Sequence, residues 1–201
     1  KSVNLDYDKV SGYSNVVNRV CDLKKPVVTA KVQSATGKPK LVWKDISGAT
    51  KYRIYRSTSK SGSYSLLKTT TSTTYIDTSA KAGKTYYYKV KALHTNSSAD
   101  SAYSAVVSRV CDLAKPVVSI TRKNGDPHIS WKTVSGAEKY YIYRATSKTG
   151  EYTRVKTVVS VRSYTDTSTK AGKTYYYKVK AIHSNTEANS AYSSAKSITA
   201  K

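Results

Sequence analysis

The chain has 201 residues, room for one large domain or for two of roughly 100. Its 35 Lys and Arg against 12 Asp and Glu give a net charge of +23, which favours anionic partners. The lysines are scattered along the chain instead of forming a basic run, so nucleic acid is not expected as a partner, and aliphatic stretches such as Ala105-Val106-Val107 fall far short of the ~18 apolar residues of a membrane-spanning helix.

In chain order the first signal is a repeat. Ser11-Gly-Tyr-Ser-Asn-Val-Val-Asn-Arg-Val-Cys21 matches Ser101-Ala-Tyr-Ser-Ala-Val-Val-Ser-Arg-Val-Cys111, so residues 1–20 read as the last strand of a preceding, truncated module. Strands are then expected over 26–32, 39–44, 51–57, 64–70, 74–77, 84–93 and 101–110, where β-branched and aromatic residues cluster between turn signals. Those turns are Thr36-Gly37, Ser47-Gly48, Ser61-Gly62 and Ala82-Gly83. The same series returns over 116–122, 127–132, 139–145, 152–158, 162–166, 173–183 and 191–199. Ala82-Gly-Lys-Thr-Tyr-Tyr-Tyr-Lys-Val-Lys-Ala92 recurs unchanged at 171–181. The offset drifts between 88 at Trp43/Trp131 and 90 at Arg19/Arg109, with the length changes falling in loops. A period of this size suits a whole sandwich domain, giving modules at 21–112 and 113–201 joined by a short linker, 111–115.

Period-two alternation selects the buried face of each strand. Tyr86, Tyr88, Val90 and Ala92 share one face of the sixth strand, and Tyr87, Lys89 and Lys91 the other, wet one. The expected core of the first module is Trp43, Tyr52, Ile54, Tyr86, Tyr88 and Val90, and that of the second is Trp131, Tyr140, Ile142, Tyr175, Tyr177 and Val179.

These residues carry a resemblance to fibronectin type III domains. A Trp in the second strand (Trp43), Tyr-x-hydrophobic in the third (Tyr52-Arg-Ile54) and Gly83-Lys-Thr-Tyr86-Tyr-Tyr-Lys-Val90-Lys-Ala92 in the sixth all match that family, over nearly the whole chain from about residue 22. The resemblance implies an all-β fold of two tandem seven-stranded, immunoglobulin-like sandwiches, with Tyr86 and Tyr175 as tyrosine-corner residues bonded to nearby backbone. More narrowly, the Lys- and Tyr-rich blocks 55–64 and 143–152 resemble modules of secreted proteins of Gram-positive gut bacteria, where such modules accompany glycoside hydrolases, wall hydrolases or adhesins. An extracellular or wall-associated location is implied. No initiator Met, signal peptide or sorting motif is seen, so an internal fragment is expected.

No enzymatic activity is expected. The carboxylates stand singly, with no acid–base pair, and there is no nucleophile elbow, P-loop or dinucleotide fingerprint. Asp77 and Asp166, in Tyr-x-Asp-Thr and its repeat, suit turn capping. His94, His128 and His183 read as loop histidines without metal-ligand spacing, and no cofactor is expected. Cys21 and Cys111 lie about one module apart, ~30 Å on strand geometry, against a limit of about 7 Å for a disulfide. Two semi-buried thiols at strand ends are expected, with an intermolecular cross-link as the alternative. Tyr55, Tyr87, Lys89 and Lys91, with Tyr143, Tyr176, Lys178 and Lys180, form a candidate ligand surface for sugars or acidic groups. A spacer that joins neighbouring domains of its own polypeptide is the leading expectation. An adhesive module for host glycans or glycoproteins, and attraction to anionic wall polymers, are the alternatives.

Overall fold

The computed structural model describes residues 21–201. The strand expected over 1–20 lies outside the described residues. The first half contains β1 (Val28–Val32), β2 (Pro39–Trp43), β3 (Lys51–Ser57), β4 (Ser65–Thr70), β5 (Thr74–Ile76), β6 (Thr85–Leu93) and β7 (Val107–Val110). The second contains β8 (Val118–Lys123), β9 (Asp126–Trp131), β10 (Lys139–Ala145), β11 (Thr153–Val159), β12 (Ser163–Thr165), β13 (Thr174–Ile182) and β14 (Lys196–Thr199). In each half a three-stranded sheet, β1-β2-β5 or β8-β9-β12, faces a four-stranded one, β4-β3-β6-β7 or β11-β10-β13-β14. Every pairing is antiparallel, and β3/β4 and β10/β11 each carry a register shift, after Ile54 and after Ile142.

Alternation places the core. Along β6 the side chains switch strictly between half-buried and buried, so that Tyr86, Tyr88, Val90 and Ala92 enter the interior. There they meet Leu41 and Trp43 from β2 and Tyr52 and Ile54 from β3. The Trp43 ring stands edge-on to Tyr52 at 5.4 Å, as Trp131 packs on Tyr140 at 5.2 Å. The second interior gathers Ile129, Trp131, Tyr140, Ile142, Tyr175, Tyr177, Val179 and Ala181, and the two interiors are separate. Burying each aromatic contributes about 2–3 kcal/mol.

Three features depart from the strands expected. The first strand of each unit pairs only from Val28 and Val118, two residues after Pro26 and Pro116, which have no N–H to donate to a ladder. Between the sixth and last strands lie short 3₁₀ turns, Ser97–Ala99 and Thr186–Ala188, each capped by an Asn side chain accepting an N–H. The last strand joins the ladder only from Val107 and Lys196. Upstream of Val107 the chain runs beside β6 with three of its residues spanning two, bonding Ser101 N–H to Ala92 O and Ser104 N–H to Val90 O. The Ser104 and Ser101 hydroxyls accept the N–H groups of Val90 and Ala92 that a regular strand would have taken, and Ser193 and Ser190 repeat this on β13.

The cysteines differ from the pair of semi-buried thiols expected. Both are free, but Cys21 is exposed and Cys111 fully buried. Burial pushes the Cys111 thiol above its ordinary range, which disfavours the reactive thiolate.

Candidate functional site

Three groups of polar and aromatic side chains stand out, and they differ mainly in how much water reaches them. The innermost lies in the gap between the sheets. Asp77 follows β5 and is fully buried, with Arg56 Nη1 at 2.7 Å and the Tyr88 hydroxyl donating at 2.9 Å to one oxygen. Its other oxygen accepts the Ser79 N–H at 3.1 Å and the Ser79 hydroxyl at 2.7 Å. Asp166 repeats the knot with Arg144, Tyr177 and Ser168. The turn capping that the motif suggests is present, each Asp accepting the N–H of the residue two positions on. The tyrosine and arginine partners are what sequence reading missed. Burial works against charge on Asp77, but hydrogen bonds from Arg56, Ser79 and Tyr88 outweigh it and hold the carboxyl below its usual range. For Asp166 the Ser168, Tyr177 and Arg144 bonds do the same. Burial and the adjoining carboxylate push the Tyr88 and Tyr177 hydroxyls far up, so they stay protonated donors. Each knot therefore clamps one sheet to the other as a structural tie. The arginines also lie over Tyr86 and Tyr175, at 4.9 and 5.1 Å from the ring centres. Those two tyrosines accept the backbone N–H of Lys81 and Lys170 at 3.1 Å, the tyrosine-corner bond.

On the outer face of the four-stranded sheets lie the residues nominated as a ligand surface. Tyr55, Tyr87, Lys89 and Lys91 are all half-buried, as are Tyr143, Tyr176, Lys178 and Lys180. The lysines are engaged by neighbouring rings or, for Lys91, by a carboxylate. Lys89 Nζ sits 4.0 Å from the centre of Tyr103 and 4.6 Å from that of Tyr64, while Lys91 pairs with Asp100 at 3.3 Å. Lys178 lies 3.8 Å over Tyr152, and Lys180 5.3 Å over Tyr192. Tyr55 meets Tyr103 edge-on at 5.2 Å, and Tyr143 meets Tyr192 at 5.0 Å. Burial and the Tyr192 hydroxyl push the Tyr143 pKa up to about 12. Among the described residues the most exposed rings are Tyr103 and Tyr192, 43% and 44% accessible; they fall within the last strands expected, 101–110 and 191–199, but pairing starts only at Val107 and Lys196, which leaves both rings open.

The third group joins the two sandwiches. Leu113, two residues past the buried Cys111, is inserted into the second interior at 1% exposure, and its N–H bonds to Ala188 O at 2.7 Å. Ala82, in the turn before β6, packs against the same interior. Beside it Gly83 takes φ +79°, and a Cβ there would lie 2.4 Å from the His183 ring. The ring is held by the Asn185 N–H donating to its Nδ1 at 2.9 Å, and Asn185 Nδ2 donates to Gly83 O at 3.1 Å. His183 is thus a hydrogen-bonded loop histidine that also packs in the joint. A cleft of about 460 Å³ beside it is lined by Lys38, Ala80, Ala82, Asp112, Ala114 and Gly136 among others. Among the described residues no three His, Cys, Asp or Glu side chains group as metal ligands would, and no helix is long and apolar enough to cross a membrane.

No family model matches the chain. A stretch of 59 residues is 41% identical to part of an amylopullulanase of Thermoanaerobacter thermohydrosulfuricus, covering 29% of this chain and 4% of that enzyme. Among solved structures, the selenomethionine-substituted chicken interferon gamma receptor alpha chain superposes with a TM-score of 0.65 at 15% identity, over 87% of this chain and 97% of the receptor chain. A two-domain fibronectin type III segment of chicken tenascin does so with a TM-score of 0.52 at 16% identity, over 89% and 99%. At these identities the likeness is one of fold, and it agrees with the sheet order, the tyrosine corner and the paired interiors. The chain therefore carries the fold of tandem fibronectin type III domains, two immunoglobulin-like sandwiches of seven strands each.

Proposed function

We propose that this pair of modules is a non-catalytic spacer in a larger secreted or wall-associated bacterial protein, holding neighbouring domains of the same polypeptide at a set distance. The modules would be 21–112 and 113–201, with residues 1–20 the last strand of a further copy. The observation that carries this reading is the joint: a linker leucine buried in the next module and a histidine seated on a glycine turn resist bending between beads. The short amylopullulanase likeness supports an accessory place within a multidomain enzyme. Small-angle scattering with ¹⁵N relaxation tests it. One rigid, elongated particle is expected, and two independently tumbling modules would overturn the reading.

A second reading is favoured by Tyr103 and Tyr192, open aromatic rings each beside a lysine, a pairing suited to stacking on sugars of acidic glycans. A glycan and glycoprotein array at physiological salt, repeated with Tyr103→Ala and Tyr192→Ala together, decides between the two. Binding that the double variant abolishes establishes adhesion. Binding to anionic wall polymers by net charge alone would instead survive the substitutions and fade with rising salt.

A further inference from the structure

The joint between the modules is built from parts that occur twice, and the second set lies at the two outer ends of the pair. In the joint, Ala82-Gly83 of the first module meets Leu113, Gly136, His183 and Asn185 on the near end of the second. The equivalents of that receiving end are Leu23, Gly48, His94 and Asn96, at the far end of the first module. They are assembled the same way: the Leu23 N–H bonds to Ala99 O at 2.8 Å, and the Asn96 N–H donates to His94 Nδ1 at 3.0 Å. A Cβ on Gly136 would touch Ala82 of the neighbouring module at 3.3 Å, whereas one on Gly48 would meet, among the described residues, Leu23 and His94 of its own.

Burial separates the two ends among the described residues. Leu113, Val134 and Ile182 are buried, but Leu23, Ile46 and Leu93 are half-buried; Asn185 is half-buried and Asn96 exposed. The inserted turn differs in the same sense. Ala82 and Gly83 are half-buried, while Ala171 and Gly172 at the far end of the second module are exposed. Gly172 keeps the positive φ of Gly83, +77° against +79°, yet a Cβ there would meet nothing within 4 Å. One end of the pair thus presents a preformed receiver, and the other a preformed turn that matches it.

We infer that both outer ends are interfaces for a further copy of this module, and that an array built from it repeats one joint, with the histidine of each module seated on the Ala-Gly turn of the module before. The partner is defined by its chemistry: a sandwich offering Ala-Gly at positive φ before its sixth strand, or His-x-Asn after it. This goes beyond the spacer reading and holds equally for an adhesive array.

The test is a four-module chain in which residues 1–200 are followed directly by a second copy of 22–201, since Ala200 occupies the place of Cys111 and both accept the N–H of a turn glycine, Gly172 or Gly83. Its central joint sets Ala171-Gly172 of the first copy against Leu23, Gly48, His94 and Asn96 of the second. The Gly172 amide resonance of the first copy should move from its position in the 201-residue chain to that of Gly83, and scattering should fit three joints of one geometry. His94→Ala in the second copy, which leaves every glycine turn intact, should raise relaxation-detected motion at the central joint while the two native joints keep theirs. An unmoved Gly172 resonance, or two pairs that tumble independently about fixed native joints, overturns the inference. Native joints that are themselves loose would sink the spacer reading as well, which separates the two failures.

Discussion

The buried knot around Asp77 and the outer face around Lys89 use nearly the same residue types, tyrosines with basic side chains, and put them to different use. Between the sheets, one carboxylate with no access to water is completed by four hydrogen bonds from Arg56, Tyr88 and Ser79. On the outer face Lys89, Lys178 and Lys180 lie over one or two rings, Lys91 pairs with Asp100, and all four remain partly hydrated. Loss of one partner inside leaves a charge or a donor stranded in a low-dielectric gap. Loss of one outside is repaired by water. The tyrosine richness of this chain therefore has two separate meanings, a structural tie and a solvated covering, and only solvent access divides them.

Removing the carboxylate should have the largest effect. Asp77→Ala should cost about 3–5 kcal/mol, because the buried Tyr88 hydroxyl loses its acceptor and the part-buried Arg56 loses its counter-charge, keeping only Ser79 and the Tyr86 ring. Urea titration should show the loss confined to the first module, with Asp166→Ala doing the same to the second. Smaller is Tyr88→Phe, which removes a hydrogen bond to a charged group and should cost about 1.5–3 kcal/mol in the same titration.

Because Asp77 and Asp166 are held below the ordinary carboxylate range in the folded chain, their stabilisation is complete above the unfolded value near ~3.9 and is lost as pH falls through the folded one. The urea midpoint should therefore stay level with respect to these two groups from neutral pH down to about 5 and fall below about 4. Asp77→Asn should remove the first module's share of that fall.

The joint stands between the two extremes. Gly83→Val should cost about 1–2 kcal/mol for a β-carbon at positive φ, and by displacing His183 it should broaden the scattering envelope of the pair. Least of all, Lys89→Ala or Lys178→Ala should cost about 0.5–1 kcal/mol, the worth of an exposed cation over a ring. A loss as large as that of Asp77→Ala would erase the distinction between the tie and the covering.

The Trp and alternate Tyr positions were legible because a strand's period of two leaves no choice of face once Lys89 and Lys91 mark the wet one. Turn positions and the repeat were legible too, since they are written as spacing. The sequence did not say that Asp77 is buried. An Asp before Thr-Ser reads as a turn cap, and Arg56 comes 21 residues earlier on the facing sheet. Nor did spacing show that the last strand yields its first pairings to serine hydroxyls, because Ser101 and Ser104 look like ordinary polar positions of an alternating strand.

What the sequence alone determined is the all-β class, the two units and the inward faces, all set by local periodicity and covalent reach. Tertiary structure decided the rest: which carboxylates lose water, which tyrosines hold lysines, and that His183 meets Gly83 across 100 residues. These depend on two sheets, or two modules, closing on each other. Desolvation at such a closure is a property of the assembled surfaces, and no run of neighbouring residues encodes it.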